Sequence, residues 1–591
     1  MTEIFRAIPS DRVALHPGPI RHRFDINRAY LMSLSNANLL QNYYQEAGLW
    51  NPRHLPEECH GGWESPTCQL RGHFLGHWLS AAAKLYAATG DAEVKAKADH
   101  IVSELRRCQR ENGGAWAGSI PAQYLDWIAR GKTVWAPHYT LHKTLMGLQE
   151  MYALTGNEQA LEIVVAWAAW FHRWTGQFSR THMDDILDVE TGGMLEVWAN
   201  LYGVTGQQEH LDLLHRYDRP RLFEPLLAGE DVLTNKHANT TIPEIHGTAR
   251  AWEVTGDRRW REIVDAYWHS AVTMRGFFCT GGQTDGEVWT PPHALSARLG
   301  NKNQEYCVVY NMMRLADWLL RWTGDGAYAD YWERNLYNGI LAQQHPDTGM
   351  VAYFLPLQGG GVKSWGSPTD DFWCCHGTLL EANASHNRGV YFENDAGLVV
   401  SQYVPSTLTW DQSGVSVRVT QTIDPQAEQA GRPQSLAVRL SVACERPVEF
   451  TLTLRLPWWL HREPVIMVDG ARQSGPFTAS SWYSIRRVWH DDTVLLTLPT
   501  GVTTAPLPDD PTTMAFMDGP VVLAGLCDEE RTLRGNANAA ETLLTPDNER
   551  EWNEWKPGYR TRRQPHNIRF LPLYDIRDER YTVYFPVQEA E

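Results

Sequence analysis

The chain has 591 residues, of which 43% are hydrophobic, and its 53 Lys and Arg against 70 Asp and Glu leave a formal charge of −17. That length buries a large core without disulfide staples, and the acidic balance, with no basic run, argues against nucleic acid as a partner. No apolar stretch reaches the roughly 18 residues of a membrane span, the longest running only from Ile163 to Phe171, so no membrane partner is expected.

The opening MTEIFRAIPSDRV has no basic segment followed by an apolar one, and the nine cysteines are an odd, scattered set apart from one adjacent pair. Both features lead to the expectation of a cytoplasmic protein whose cysteines are thiols or metal ligands rather than a disulfide framework. The 26 Trp and 23 Tyr outnumber the 16 Phe, as in clefts where flat rings also need a polar handle, although large cores use Trp too.

From Tyr86 onward a short unit recurs: Tyr86-x-x-Thr89-Gly90-Asp91, Tyr152-x-x-Thr155-Gly156-Asn157, Tyr202-x-x-Thr205-Gly206-Gln207, Trp252-x-x-Thr255-Gly256-Asp257 and Leu320-x-x-Thr323-Gly324-Asp325. The glycines lie 66, 50, 50 and 68 residues apart. Each unit predicts a helix closed by a left-handed Gly and, except at Gln207, a following helix capped by Asp or Asn. Repeated helix hairpins must stack to bury their apolar faces, as an open solenoid or a closed ring. The intervening loops, among them DVETGGMLE, KHANTTIP and GGQTDGEVW, are rich in Gly, His, Trp and carboxylates, which favours a ring with a pocket at its mouth.

After about Val390 the pattern changes to alternation with period two, in LVVSQYV, VSVRVTQT, SLAVRLSV, VEFTLTLRL and TVLLTLP, which reads as antiparallel strands. The Gln- and Gly-rich stretch from Gln426 to Gln434 reads as a turn, and Asn536 to Pro565 as a long excursion without clear periodicity. The expected fold is therefore an α+β multidomain chain: an (α/α)6 barrel with a short N-terminal extension over 1–395, a β-sandwich over 396–505, and a second β-rich module over 506–591.

Glu305 and Cys307, with Cys374 and Cys375, supply one carboxylate and three thiols, a donor set suited to four-coordinate zinc. Spacing alone leaves buried free thiols open, since adjacent cysteines point their Cβ atoms apart. The segments around these residues, NQEYCVVYNMMRLADWLLRWTGD, YADYWERNLYNGILAQQHPDTGMVAYFLPL, DFWCCHGT and GGQTDGEVW, supported upstream by LRGHFLGHWLSA, WAPHYTLHKTLMGL and KHANTTIP, resemble those of glycoside hydrolase families 127 and 146, the β-L-arabinofuranosidases. The likeness runs from about residue 60 to 410.

The resemblance implies an (α/α)6 barrel with β-sandwich domains and a Zn2+ ion held by Glu305, Cys307, Cys374 and Cys375. It implies Cys374 as nucleophile, Glu287 as general acid/base, and Glu333, Tyr353, His142 and His237 as sugar contacts. Zinc would keep the sulfur a thiolate, and Glu287 would protonate the leaving oxygen and later deprotonate water, giving retention.

Several residues have a plainer reading. Glu333 sits between Trp332 and Arg334 where a surface ion pair is the bland option, and His73 and His77, one turn apart, read as pocket lining in the absence of an H-E-x-x-H pattern. His376 follows the cysteine pair where members of the resembled family usually carry a smaller or apolar residue. The expected function is a zinc-dependent retaining exo-glycosidase acting on terminal β-L-arabinofuranose or a similar furanoside of an oligosaccharide. Two other classes are a sugar isomerase or epimerase, which would not need three thiolates, and a silent carbohydrate-binding protein, which would lack the metal. Linkage and oligomeric state, a homodimer included, stay open in the sequence.

Overall fold

The computed structural model describes residues 3–50, 59–423, 434–547 and 558–589, with short strand pieces at 550–551 and 554–555. Most of the Gln- and Gly-rich stretch expected as a turn, residues 426–433, lies outside the described residues.

The barrel is built from α1 (Pro19–Ser33), α2 (His73–Thr89), α3 (Ala92–Glu111), α4 (Pro137–Thr155), α5 (Glu158–Thr175), α6 (Met194–Thr205), α7 (Gln208–Arg216), α8 (Ala238–Thr255), α9 (Arg258–Trp268), α10 (Tyr306–Thr323), α11 (Gly326–Asn335) and α12 (Cys374–Asn383). The even-numbered helices form an inner ring in which each packs on the next and α12 packs back on α2. Helices α3, α5, α7, α9 and α11 each cover the inner helix that precedes them, and α1 covers α12. The packing follows from the patterning. Every residue of α2 from His73 to Leu85 is buried, as an inner helix requires, whereas α3 buries Val94, Ala98, Ile101, Val102 and Leu105 on one stripe.

The repeat behaves as its chemistry dictates. Gly90, Gly156, Gly206, Gly256 and Gly324 all close inner helices with φ between 64° and 72°. Asp91, Asn157, Asp257 and Asp325 accept hydrogen bonds from the first turn of the next helix, and Gln207 does not. Only five hairpins carry the unit because the sixth is assembled from opposite ends of the barrel's sequence, α12 being covered by α1.

The N-terminal extension belongs to the β-region in space. Arg6–Ala7 pairs with Tyr391–Asn394, and Val13–Leu15 pairs with Ser406–Gln412, in one ten-stranded sheet. Two long strands, Ser435–Leu456 and Ser481–Pro499, pair along their length with a register shift at Trp489/Asp491. The first half of Ser435–Leu456 pairs with Val415–Ile423 and its second half with Gly397–Val400, so this pair spans the sandwich. An eight-stranded sheet made from residues 502–588 follows.

Both β-regions brace the barrel. Arg455 of the sandwich is fully buried and forms ion pairs with Asp330 and Glu333 of α11 at 2.6 Å each, and Trp459 Nε1 donates to Glu333 at 2.8 Å. Here the expectation that Glu333 contacts the sugar is corrected. Its two oxygens are engaged by Arg455 and Trp459 at the seam, and it is neither a surface ion pair nor part of the cysteine cluster. The C-terminal module grips the loops over 276–304 and 336–365: Tyr584 Oη accepts from Cys279 N at 2.7 Å, Asn338 exchanges hydrogen bonds with Pro520 and Val522 at 2.8 Å, and Tyr581 Oη donates to Pro356 O at 2.8 Å.

Removing Arg455 strands two buried carboxylates, so Arg455→Met should cost about 3–5 kcal/mol of stability. Urea unfolding followed by tryptophan fluorescence checks this, and an unchanged midpoint would mean that the seam is dispensable.

Candidate active site

The N-terminal ends of the inner helices gather at one end of the barrel, and the residues singled out in the sequence lie there. Glu305 is the residue before α10 and Cys307 its second residue, while Cys374 and Cys375 open α12. His237 immediately precedes α8, and His142 lies in the second turn of α4. Helix N-termini carry partial positive charge and unpaired N–H groups, which favours anionic sulfur and carboxylate at this end.

Four donor atoms converge. Cys307 Sγ is 3.4 Å from Cys375 Sγ, Cys374 Sγ is 3.9 Å from Cys375 Sγ, and Cys374 Sγ is 3.8 Å from a Glu305 carboxylate oxygen. All four donors lie within 4.8 Å of one another. The divergence expected of neighbouring cysteines is overcome because both sulfurs turn toward α10. Without a cation the cluster cannot ionise fully. Burial pushes the Cys307 and Cys375 thiols and the Glu305 carboxyl well above their usual ranges, while hydrogen bonds from Cys307 and Cys375 hold Cys374 well below its own.

The residues fit a zinc ion. A tetrahedron with Zn–S bonds of about 2.3 Å has edges of about 3.8 Å, close to the spacings above. The second carboxylate oxygen of Glu305 is buried with no hydrogen-bond partner among the described residues, as a ligating oxygen would be.

Glu287 reaches this cluster on a two-stranded turn, Thr284–Asp285 against Val288–Trp289, with Gly286 and Glu287 both at positive φ (58° and 72°). Ala238 N donates to Glu287 O at 2.8 Å, which ties the turn to the start of α8. Donor atoms of Glu287, His237 and Glu305 lie within 4.8 Å of one another. Tyr353, held by its carbonyl to Tyr306 N at 3.1 Å, gives its hydroxyl proton to Glu287 in a short bond and places the same oxygen 3.5 Å from Cys374 Sγ. Carboxylate and sulfur are thus one hydroxyl apart.

A family model, the β-L-arabinofuranosidase GH127 catalytic domain, matches residues 12–388, and the GH127 middle domain matches residues 397–500. The chain belongs to glycoside hydrolase family 127. A non-reducing end β-L-arabinofuranosidase of Bifidobacterium longum subsp. longum is 25% identical over 473 residues, covering 66% of this chain and 65% of that relative. The match therefore spans less than two thirds of the curated relative's length. Solved structures share the fold throughout. A GH127 β-L-arabinofuranosidase from Geobacillus stearothermophilus T6 superposes with a TM-score of 0.73 at 19% identity over 98% of this chain and 100% of that one. A second GH127 β-arabinofuranosidase gives 0.77 at 17% identity over 99% and 98%.

This member of family 127 has further polar residues at the barrel mouth. The His142 ring is buried against Gly193, where a Cβ would fall 2.4 Å from Nε2, and neither ring nitrogen has a partner among the described residues. His237 Nδ1 is 2.7 Å from Thr240 Oγ1 and 3.8 Å from Glu190. His376 turns from the cysteines to bond Ser367 O at 3.0 Å, and so braces the loop before Cys374.

Sequence reasoning named no role for Glu190, Tyr139 or Lys143. Burial raises the Glu190 carboxyl, His237 opposes that, and Cys374 and Glu287 add to it, which places Glu190 electrostatically in the site. Tyr139 Oη is 3.1 Å from His73 Nδ1, and Lys143 lies over the Tyr139 ring at 5.3 Å. The signals lie in DVETGG and HYTLHK, where sequence reasoning gives a role only to His142.

Tyr353→Phe removes the hydroxyl shared by Glu287 and Cys374. Turnover should fall by about 10- to 100-fold with metal content unchanged. Steady-state kinetics with metal analysis checks this, and an unaltered kcat would remove Tyr353 from the site's chemistry.

Proposed function

We propose that this enzyme is a zinc-dependent retaining β-L-arabinofuranosidase that removes a terminal furanose from the non-reducing end of short oligosaccharides, with Cys374 as nucleophile and Glu287 as acid/base. The observation that carries this reading is the Glu287–Tyr353–Cys374 link. With Tyr353 Oη 3.5 Å from the sulfur and hydrogen-bonded to the carboxylate, the two groups are at most about 6 Å apart. That is the spacing of double displacement, because inverting enzymes need about 6.5–9.5 Å to admit a water between their groups.

Glu287, protonated, donates to the leaving oxygen as Cys374 Sγ bonds to the anomeric carbon and the glycosidic bond breaks. The Glu287 carboxylate then takes a proton from water as that water's oxygen displaces the sulfur. Two inversions restore the starting configuration. Zinc bound by Glu305, Cys307, Cys374 and Cys375 would supply the positive charge that keeps the sulfur ionised at neutral pH. His142, His237 and Glu190 then surround the sugar with hydrogen-bonding groups. The terminal position of the cleaved sugar is taken from the matched Bifidobacterium enzyme. Buried thiols that must stay reduced favour the cytoplasm. Among the described residues no helix is long and apolar enough to cross a membrane.

Protein purified without added metal should contain one zinc per chain by elemental analysis, and Cys375→Ser should lower both zinc and activity; a content near zero in the wild type contradicts the site. Glu287→Gln should lower turnover by about 10²-fold or more on a natural glycoside but far less on one with an activated aryl leaving group. Equal losses on both would contradict the acid role.

A further inference from the structure

Below the cysteines, helices α2, α4 and α12 enclose a line of buried polar groups that the reaction above leaves unused. Glu381 of α12 accepts from His77 Nδ1 at 2.5 Å through one oxygen and from Lys84 Nζ at 2.7 Å through the other. Lys84 also donates to Ser80 Oγ at 2.9 Å and lies 3.2 Å from Glu150. His77, Lys84 and Glu381 are 1%, 5% and 2% exposed. Against the pull of burial, Lys84 and His77 hold the Glu381 carboxyl well below its usual range, so it is an anion that fixes the Nδ1 proton of His77.

His77 Nε2 is buried and has no hydrogen-bond partner among the described residues. Glu381 lies seven residues beyond Cys374 on α12, about 10 Å farther from the mouth at 1.5 Å per residue. With Nδ1 taken by Glu381, Nε2 is the free nitrogen of a ring on which the charges of Lys143 and Cys374 both act. The ring lies against α12 at Gly377, where a Cβ would meet it at 2.3 Å. Lys143, whose charge acts on the His77 ring, is 8% exposed, and its ammonium, over the Tyr139 ring, makes no hydrogen bond or ion pair among the described residues. A bare acceptor and an unused donor in one buried region match a sugar hydroxyl, which both gives and accepts a hydrogen bond.

We infer that Lys84 and Glu381 are positioning residues that hold His77 in the tautomer with Nε2 unprotonated, and that this nitrogen accepts the proton of one hydroxyl of the furanose held at Cys374, with Lys143 donating to the same oxygen. The inference rests on the proposed placement of the sugar at Cys374. It makes His77 a determinant of which furanose is accepted. Burial supports the neutral ring by lowering the His77 pKa to about 4.

Monofluorinated aryl furanosides test it, because fluorine accepts a hydrogen bond but cannot donate one. At a single ring position, fluorine should raise KM by about three- to tenfold with the wild type, the worth of one neutral hydrogen bond, and should add nothing further with His77→Asn. Glu381→Gln should reproduce most of the KM increase with kcat within about threefold and zinc unchanged. Two-bond 1H–15N spectra should show the His77 proton on Nδ1, with Nε2 shifting on addition of L-arabinose. If every fluorine position costs His77→Asn as much as the wild type, or if Nε2 carries the proton, the inference is overturned. Should Glu381→Gln fail to fold, the fluorine series in the wild type and His77→Asn decides alone. Zinc content in the same preparations separates this failure from failure of the zinc-dependent reading.

Discussion

Three sulfurs and a carboxylate share a buried site at the mouth of the barrel, and most of the surrounding structure makes that concentration of negative charge tolerable. In a low-dielectric interior such a set cannot ionise unaided, which is why all but Cys374 are driven toward their protonated forms. The closed ring of helices helps by bringing several positive helix ends to one place. A divalent cation would offset half of the negative charge that the four donors carry when fully ionised. The same balance leaves Cys374 the most readily ionised of the four, and it is the one in contact with Tyr353 and, through it, with Glu287.

Bringing these residues together requires strained connections. Ala136 before α4, Glu287 on its turn, Gln304 before Glu305 and Phe372 before Cys374 all have φ between 42° and 72° without being glycine. Each such residue costs roughly 1–3 kcal/mol and persists only where its surroundings hold it. The C-terminal module supplies part of that hold. Its contacts through Tyr584, Pro520, Val522 and Tyr581 fall on the loops that carry Glu287 and Tyr353. A module remote in sequence thereby acts on the geometry of the site.

What was legible in the sequence is what short-range chemistry determines. The Thr-Gly-Asp unit specified helix ends and caps correctly, down to the missing cap at Gln207, because those interactions span two or three residues. Alternation likewise located the sandwich strands. Long-range partners were not legible. Glu333 looked like a surface or sugar-facing carboxylate because Arg455, which buries it, is 122 residues away. Nothing near Glu381 announced that it would join His77 across 304 residues, or that α1 would close the barrel against α12. Glu190 was missed for another reason: a carboxylate in a Gly-rich loop has many ordinary uses, and only folding reveals that it faces His237.

The central claim, that the sulfur of Cys374 bonds to the anomeric carbon, is tested most directly by trapping that bond. After treatment with a mechanism-based furanosyl inhibitor, peptide mapping should show one sugar's mass on the fragment containing Cys374 and Cys375, with fragmentation placing it on Cys374. The same mass on Glu287, Glu190 or Glu305 would restore a carboxylate nucleophile and leave the cysteines as metal ligands only.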